Sequence, residues 1–140
     1  MSRVDFITPK HKQPEYYSDM PVNMQKNQIT GQLARLTNDE AVKQSIKALV
    51  LTGLGERFYQ PWIGSTVKAS LFNLIDDQVT LDTIKTSITE CIENNEPRVQ
   101  IENISMDENI DLNGYNVRIV FSTVNIQETQ SVDIFISRVR

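Results

Sequence analysis

At Pro97 the hydrophobic period of this chain changes, and that change restricts what it can fold into. Before it, Leu81, Ile84, Ile88, Cys91 and Ile92 recur at three- and four-residue steps, the spacing of one buried helical stripe. After it, Val99 and Ile101 alternate with polar residues, and Ile104 and Met106 resume on the opposite parity, which predicts a strand bulged near Asn103. Proline has no backbone N–H and biases the residue before it away from the helical region, so the helix must end near Asn94. Tyr115, Val117, Ile119 and Phe121, then Val132, Ile134 and Ile136, continue the two-residue period, with Asn113-Gly114 as a turn before them. Strands with one apolar face each, reached through helices, predict an α+β fold: two main helices and a short one on a three-stranded antiparallel sheet.

Upstream, Thr37-Asn38-Asp39-Glu40 has the pattern of a capping box, predicting a helix that buries Ala41, Val42, Ser45, Ile46, Leu49 and Val50 and closes at Thr52-Gly53. Glycines, proline and aromatics from Leu54 to Gly64 predict an irregular loop, with Phe58, Tyr59 and Trp62 as anchors into the core. Ser65 is expected to cap a short helix running to about Asn73, and Asp76-Asp77 to form the turn after it. Thr80 is expected to cap the longer helix, with Asp82 in its first turn. Residues 1–36 hold Pro9, Pro14 and Pro21 and keep no period, so they are expected to form an extended arm ahead of a domain spanning 37–140. Tyr16, Tyr17, Met20, Val22 and Met24 give that arm an interface character.

The formal charge of −4 and the absence of a basic stripe argue against a nucleic-acid groove. No apolar run is long enough for a membrane span or a signal peptide, so a cytoplasmic site of synthesis and assembly is expected. The single cysteine, Cys91, falls on the apolar helix face and reads as a buried thiol. Asn109-x-Asp111-x-Asn113-Gly114 begins like a calcium loop, but Val120 stands where the bidentate glutamate belongs, and a hairpin turn fits better. His11 is the sole histidine, which excludes a multi-histidine metal site and a Ser-His-Asp triad. Glu56, Asp76, Asp77, Glu90 and Glu93 could in principle supply a glycosidase pair, yet each reads as a turn or outer-face residue. No cofactor or metal is called for.

Two segments remain. Gly55, Arg57, Pro61 and Gly64, followed at a distance by Glu96-Pro97-Arg98, resemble the sheath-initiator family of contractile-tail baseplates, whose pattern runs Gly-x-Arg-Pro-Phe-x-Pro-x-Phe-Gly and later Glu-Pro-Arg. Phe58 stands for the usual proline, Tyr59 for the first phenylalanine and Ile63 for the second. The resemblance covers about residues 38 to 138. That family is the small wedge protein of contractile-tailed phages, labelled lysozyme-like in some members and similar to the type VI secretion baseplate component TssE.

The resemblance implies a structural virion subunit with no enzymatic activity. Its partners would be other wedge proteins and the tail sheath, with tube or hub neighbours reached through the arm. Glu96, Pro97 and Arg98, backed by Arg57, would dock the domain on the wedge core. The last strand, with Val132, Asp133, Ile134, Phe135, Ile136 and Ser137, would pair with the first sheath ring, while Asp133, Ser137, Arg138 and Arg140 discourage self-pairing. The alternatives are a lysozyme-like glycoside hydrolase of the tail and a soluble anti-adaptor-like regulator of the same fold.

Overall fold

The computed structural model describes residues 14–71, 78–109 and 111–137. Three strands, β3 (Val99–Asn109), β4 (Gly114–Thr123) and β5 (Ile126–Ser137), form an antiparallel meander in the order β3-β4-β5. Helix α1 (Asp39–Leu51) lies against β5, and helix α3 (Gln78–Asn95) lies against β3. Between them sits α2, a single turn at Val67–Ser70. The alternation expected on the strands is the one seen: Tyr115, Val117, Ile119, Phe121, Val132, Ile134 and Ile136 are buried. They meet Val42, Ile46 and Val50 of α1 and Ile84, Ile88 and Ile92 of α3 in one core. The register slips between Ile101 and Asn103, so the bulge lies where the parity of β3 changes.

Helix starts differ from the sequence-based expectation. Asn38, not Thr37, occupies the position before α1; it has φ of 49° and makes no side-chain cap. Its side-chain amide instead accepts from the Tyr16 N–H at 2.9 Å and donates to the Pro14 carbonyl at 3.1 Å. Asparagine tolerates positive φ better than most residues, and its amide reproduces a peptide group, so it holds an adjoining chain segment as a strand would. Helix α3 begins at Gln78, which leaves Thr80 inside its first turn and Asp82 beyond it, and no acidic residue lies in that first turn. Thr66 rather than Ser65 precedes α2. Asp76 and Asp77 lie outside the described residues.

Residues 14–37 run across the outside of this body. Ser18–Asp19 (β1) pairs with Leu36–Thr37 (β2), a two-residue ladder without a sequence signal. Gln44 of α1 fixes the segment by accepting from the Val22 N–H and donating to the Met20 carbonyl and to Asp19. The Tyr17 ring packs on the core, and its hydroxyl accepts from Asn125 Nδ2 at 2.7 Å.

Candidate partner-binding site

Glu96 ends the last turn of α3 with its N–H bonded to the Ile92 carbonyl. It is only 4% exposed. Pro97 cannot extend the helix, so the chain turns at Pro97-Arg98, where the Val99 N–H donates to the Glu96 carbonyl at 3.2 Å, and Arg98 folds back over Glu96 in a two-pronged pair: Nε to Oε1 at 2.5 Å and Nη2 to Oε2 at 2.7 Å. Ser45 of α1 donates its hydroxyl to the same carboxylate. Burial alone would raise the Glu96 pKa, but hydrogen bonds from Arg98 and Ser45 outweigh it and hold the carboxyl below its ordinary value. The Tyr17 ring covers the Arg98 guanidinium, 5.0 Å from its centroid. Glu-Pro-Arg therefore ties together α3, α1, β3 and the N-terminal segment. Arg57 makes no hydrogen bond or ion pair to Glu96 or Arg98 among the described residues and is exposed in the loop after α1.

This geometry carries a pH signature. A carboxyl whose folded pKa lies below its ordinary 4.5 contributes stability that is fully present above about pH 4.5 and is lost as pH falls through the folded value. Glu96→Gln should thus be less stable than wild type by a constant margin in urea unfolding near neutrality. The margin should narrow only below that range. A margin unchanged down to acid pH would contradict a charged, paired Glu96.

The loop 53–65 is closed at its neck. Gly53 bridges Ser65, the Ser65 N–H donates to the Thr52 carbonyl at 2.8 Å, and the Ser65 hydroxyl donates to the Val50 carbonyl at 2.7 Å. Gly64 passes so close that a Cβ there would sit 2.7 Å from the Thr52 oxygen, and its φ of +144° also favours glycine. Glu56 accepts from the Gly53 N–H and pairs with Lys68 at 2.7 Å. Those contacts face the neck inward and the tip outward. Phe58, Tyr59 and Trp62, expected in the core, are 98%, 96% and 67% exposed. A short, self-bonded neck leaves the tip residues no path back to the core, which residue type alone does not reveal.

Strand β5 is an edge of the sheet. Val132, Ile134 and Ile136 face the core, and Asp133, Phe135 and Ser137 face outward. Asp133 pairs with Arg118 of β4 at 2.7 Å, which lowers the carboxyl and raises the guanidinium pKa. Arg138 and Arg140 lie outside the described residues.

Glu56 is held below the usual carboxylate range by Lys68 and the Gly53 N–H, the reverse of what a general acid needs at neutral pH. Glu90 and Glu93 are exposed on α3. Burial pushes the Cys91 thiol up, as its place on the inner face of α3 anticipates. Asn109 accepts from the Leu112 N–H, a turn contact in the hairpin that the calcium-like spacing describes. No helix among the described residues is long and apolar enough to cross a membrane.

An α+β body with an open sheet edge, a projecting aromatic loop and an internally paired Glu-Pro-Arg has the features of an assembly subunit. Residues 37–130 match the family model of baseplate wedge protein gp25, and the chain belongs to that family of contractile-tail baseplate structural proteins. A solved protein from Geobacter sulfurreducens, provisionally termed a tail lysozyme, shares the fold with a TM-score of 0.65 at 18% identity, covering 71% of this chain and 89% of that one. A chain of the anti-feeding prophage baseplate superposes with a TM-score of 0.59 at 19% identity, over 89% of this chain and 87% of its own. A chain of the postcontracted pyocin R2 baseplate gives 0.50 at 15% identity, over 81% and 98%. No curated protein matches the chain in sequence.

Proposed function

We propose that this chain is the wedge subunit on which the contractile sheath starts, docking on the wedge core by one surface and offering β5 as a pairing edge by another. The observation that carries this is the open position of β5, an antiparallel strand of 12 residues with core residues on one face only. An unpaired edge presents alternate N–H and C=O groups to an incoming strand. The Arg118–Asp133 pair on the outer face resists association with a second copy of the same edge while leaving its backbone accessible.

On the docking side, Glu96 is committed within the chain, so Pro97, the outer rim of Arg98 and Arg57 supply the contact. The partners are other baseplate wedge proteins and the sheath protein. The chain's place is then the tail baseplate of an assembled particle, built in the host cytoplasm. No enzymatic step is assigned, in line with the exposed or cation-paired carboxylates.

Arg57 separates docking from folding because it is exposed and joined to no partner in the described structure. Arg57→Ala should change unfolding free energy by less than about 0.5 kcal/mol. In cells lacking the native gene it should reduce incorporation into baseplates, measured by quantitative mass spectrometry of purified particles. Full incorporation would remove Arg57 from the docking surface.

A further inference from the structure

We propose that the cleft between loop 53–65 and the outer face of α3 is a docking groove for a basic amphipathic helix from another baseplate subunit. The cleft, about 860 Å³, has Leu54 and Trp62 as one wall and follows Val79, Thr83, Thr86 and Glu90 along α3. These positions form one stripe at three- and four-residue spacing. Thr83 and Thr86 donate their hydroxyls back to the Val79 and Asp82 carbonyls, and Ser87 is bonded to Thr66. The Thr83, Thr86 and Ser87 hydroxyls are therefore already bonded within the chain, so between the Asp82 and Glu90 carboxylates the stripe offers a ligand the threonine methyl groups and Val79 as apolar contact.

The charge on the cleft is acidic. Asp82 and Glu90 both line it, separated by about 12 Å along the helix axis. Lys85 reaches Asp82 only at 4.0 Å, and Glu90 has no ion pair or hydrogen bond among the described residues. The complementary ligand carries two cations about two turns apart flanking an apolar stripe. A helix fits better than an extended peptide, because the floor consists of helix side chains, with no strand edge to take up an extended ligand's N–H and C=O groups. The same acidity disfavours an anionic membrane as the target of the aromatic tip.

The reading of this chain as an assembly subunit supplies only the source of the helix, and the groove can be tested apart from it. Trp62 is the only tryptophan, so its fluorescence reports the groove directly. The full chain is titrated with a helical peptide of about 20 residues bearing leucines on one face and lysines eight apart, and with the same peptide carrying glutamates. The lysine peptide should shift Trp62 emission to the blue in a saturable way, and the glutamate peptide should not. The double variant Asp82→Lys, Glu90→Lys, altered only at exposed positions, should weaken the lysine peptide by about tenfold or more and bind the glutamate peptide instead. Equal response to both peptides, or none, overturns the proposal. So does a shift with phosphatidylglycerol vesicles in place of the peptide, or one that follows protein concentration alone. Sheath pairing by β5 does not involve Trp62, so failure here leaves that reading standing.

Discussion

Arg98→Ala is expected to lower the unfolding free energy by about 2–3 kcal/mol, read from urea midpoints at neutral pH. Truncating one partner of a fully buried ion pair costs roughly 3–5 kcal/mol, because the other charge is stranded. Here the discount reflects an Arg98 side chain 37% exposed to solvent. Glu96 would keep the Ser45 hydroxyl and the backbone N–H of residue 98, neither of which carries a charge. Tyr17 would lose the cation beneath its ring, so the N-terminal segment should also become more sensitive to protease. Arg98→Lys restores charge but not the two-pronged geometry and should recover only part of the loss. A loss under about 0.5 kcal/mol would show that the pair is not the joint described above.

The second large effect concerns the sheet edge. Successive N–H groups of β5 point alternately to β4 and to the open side. Proline at Ile134 would be uninformative, since that side chain is buried and folding would fail with pairing. Gln130 and Ser131 are neighbours outside the buried core, opposite Phe121 and Val120. Of Gln130→Pro and Ser131→Pro, one removes a bond to β4 and destabilises the fold. The other spares β4, removing an edge donor and, in the case of Gln130→Pro, also that side chain's bond to Asp39 at 3.1 Å, and should leave circular dichroism near wild type with melting lowered far less than in the first. That second variant should join baseplates yet stop sheath growth, since each unmade bond costs about 1–3 kcal/mol, roughly 5- to 150-fold in the pairing equilibrium. Sheaths of normal yield and length on both variants would contradict a templating role for β5.

Much of the architecture could be read from hydrophobic period alone, because a half-buried sheet and its covering helices impose it directly. The inner faces of α3 and β4, the core side of β5 and the bulge beside Asn103 all follow from which residues recur at which step. Loop 53–65 did not yield to that reasoning. Glycines and prolines mark a loop, but whether Phe58, Tyr59 and Trp62 point in or out depends on the Gly53–Ser65 bridge and the tight passage at Gly64. Neither leaves a periodic signal. The start of α1 was obscured in a different way: Asn38 serves the N-terminal segment instead of its own helix, and a long-range partner is invisible to local pattern. The Glu-Pro-Arg segment was legible as the point where the helix stops and the strands begin. Its inward orientation was not, because it depends on Ser45, which lies 51 residues earlier in the chain.

Residue-resolved amide hydrogen exchange on β5, with and without the cognate sheath protein, tests the templating role most directly. Strand pairing predicts that alternate amides between Ile126 and Ser137, those left unbonded by β4, become protected when sheath protein is added, while β3, the opposite edge, is unchanged. Protection that appears on β3 instead, or exchange on β5 that does not change in the presence of sheath protein, would contradict it.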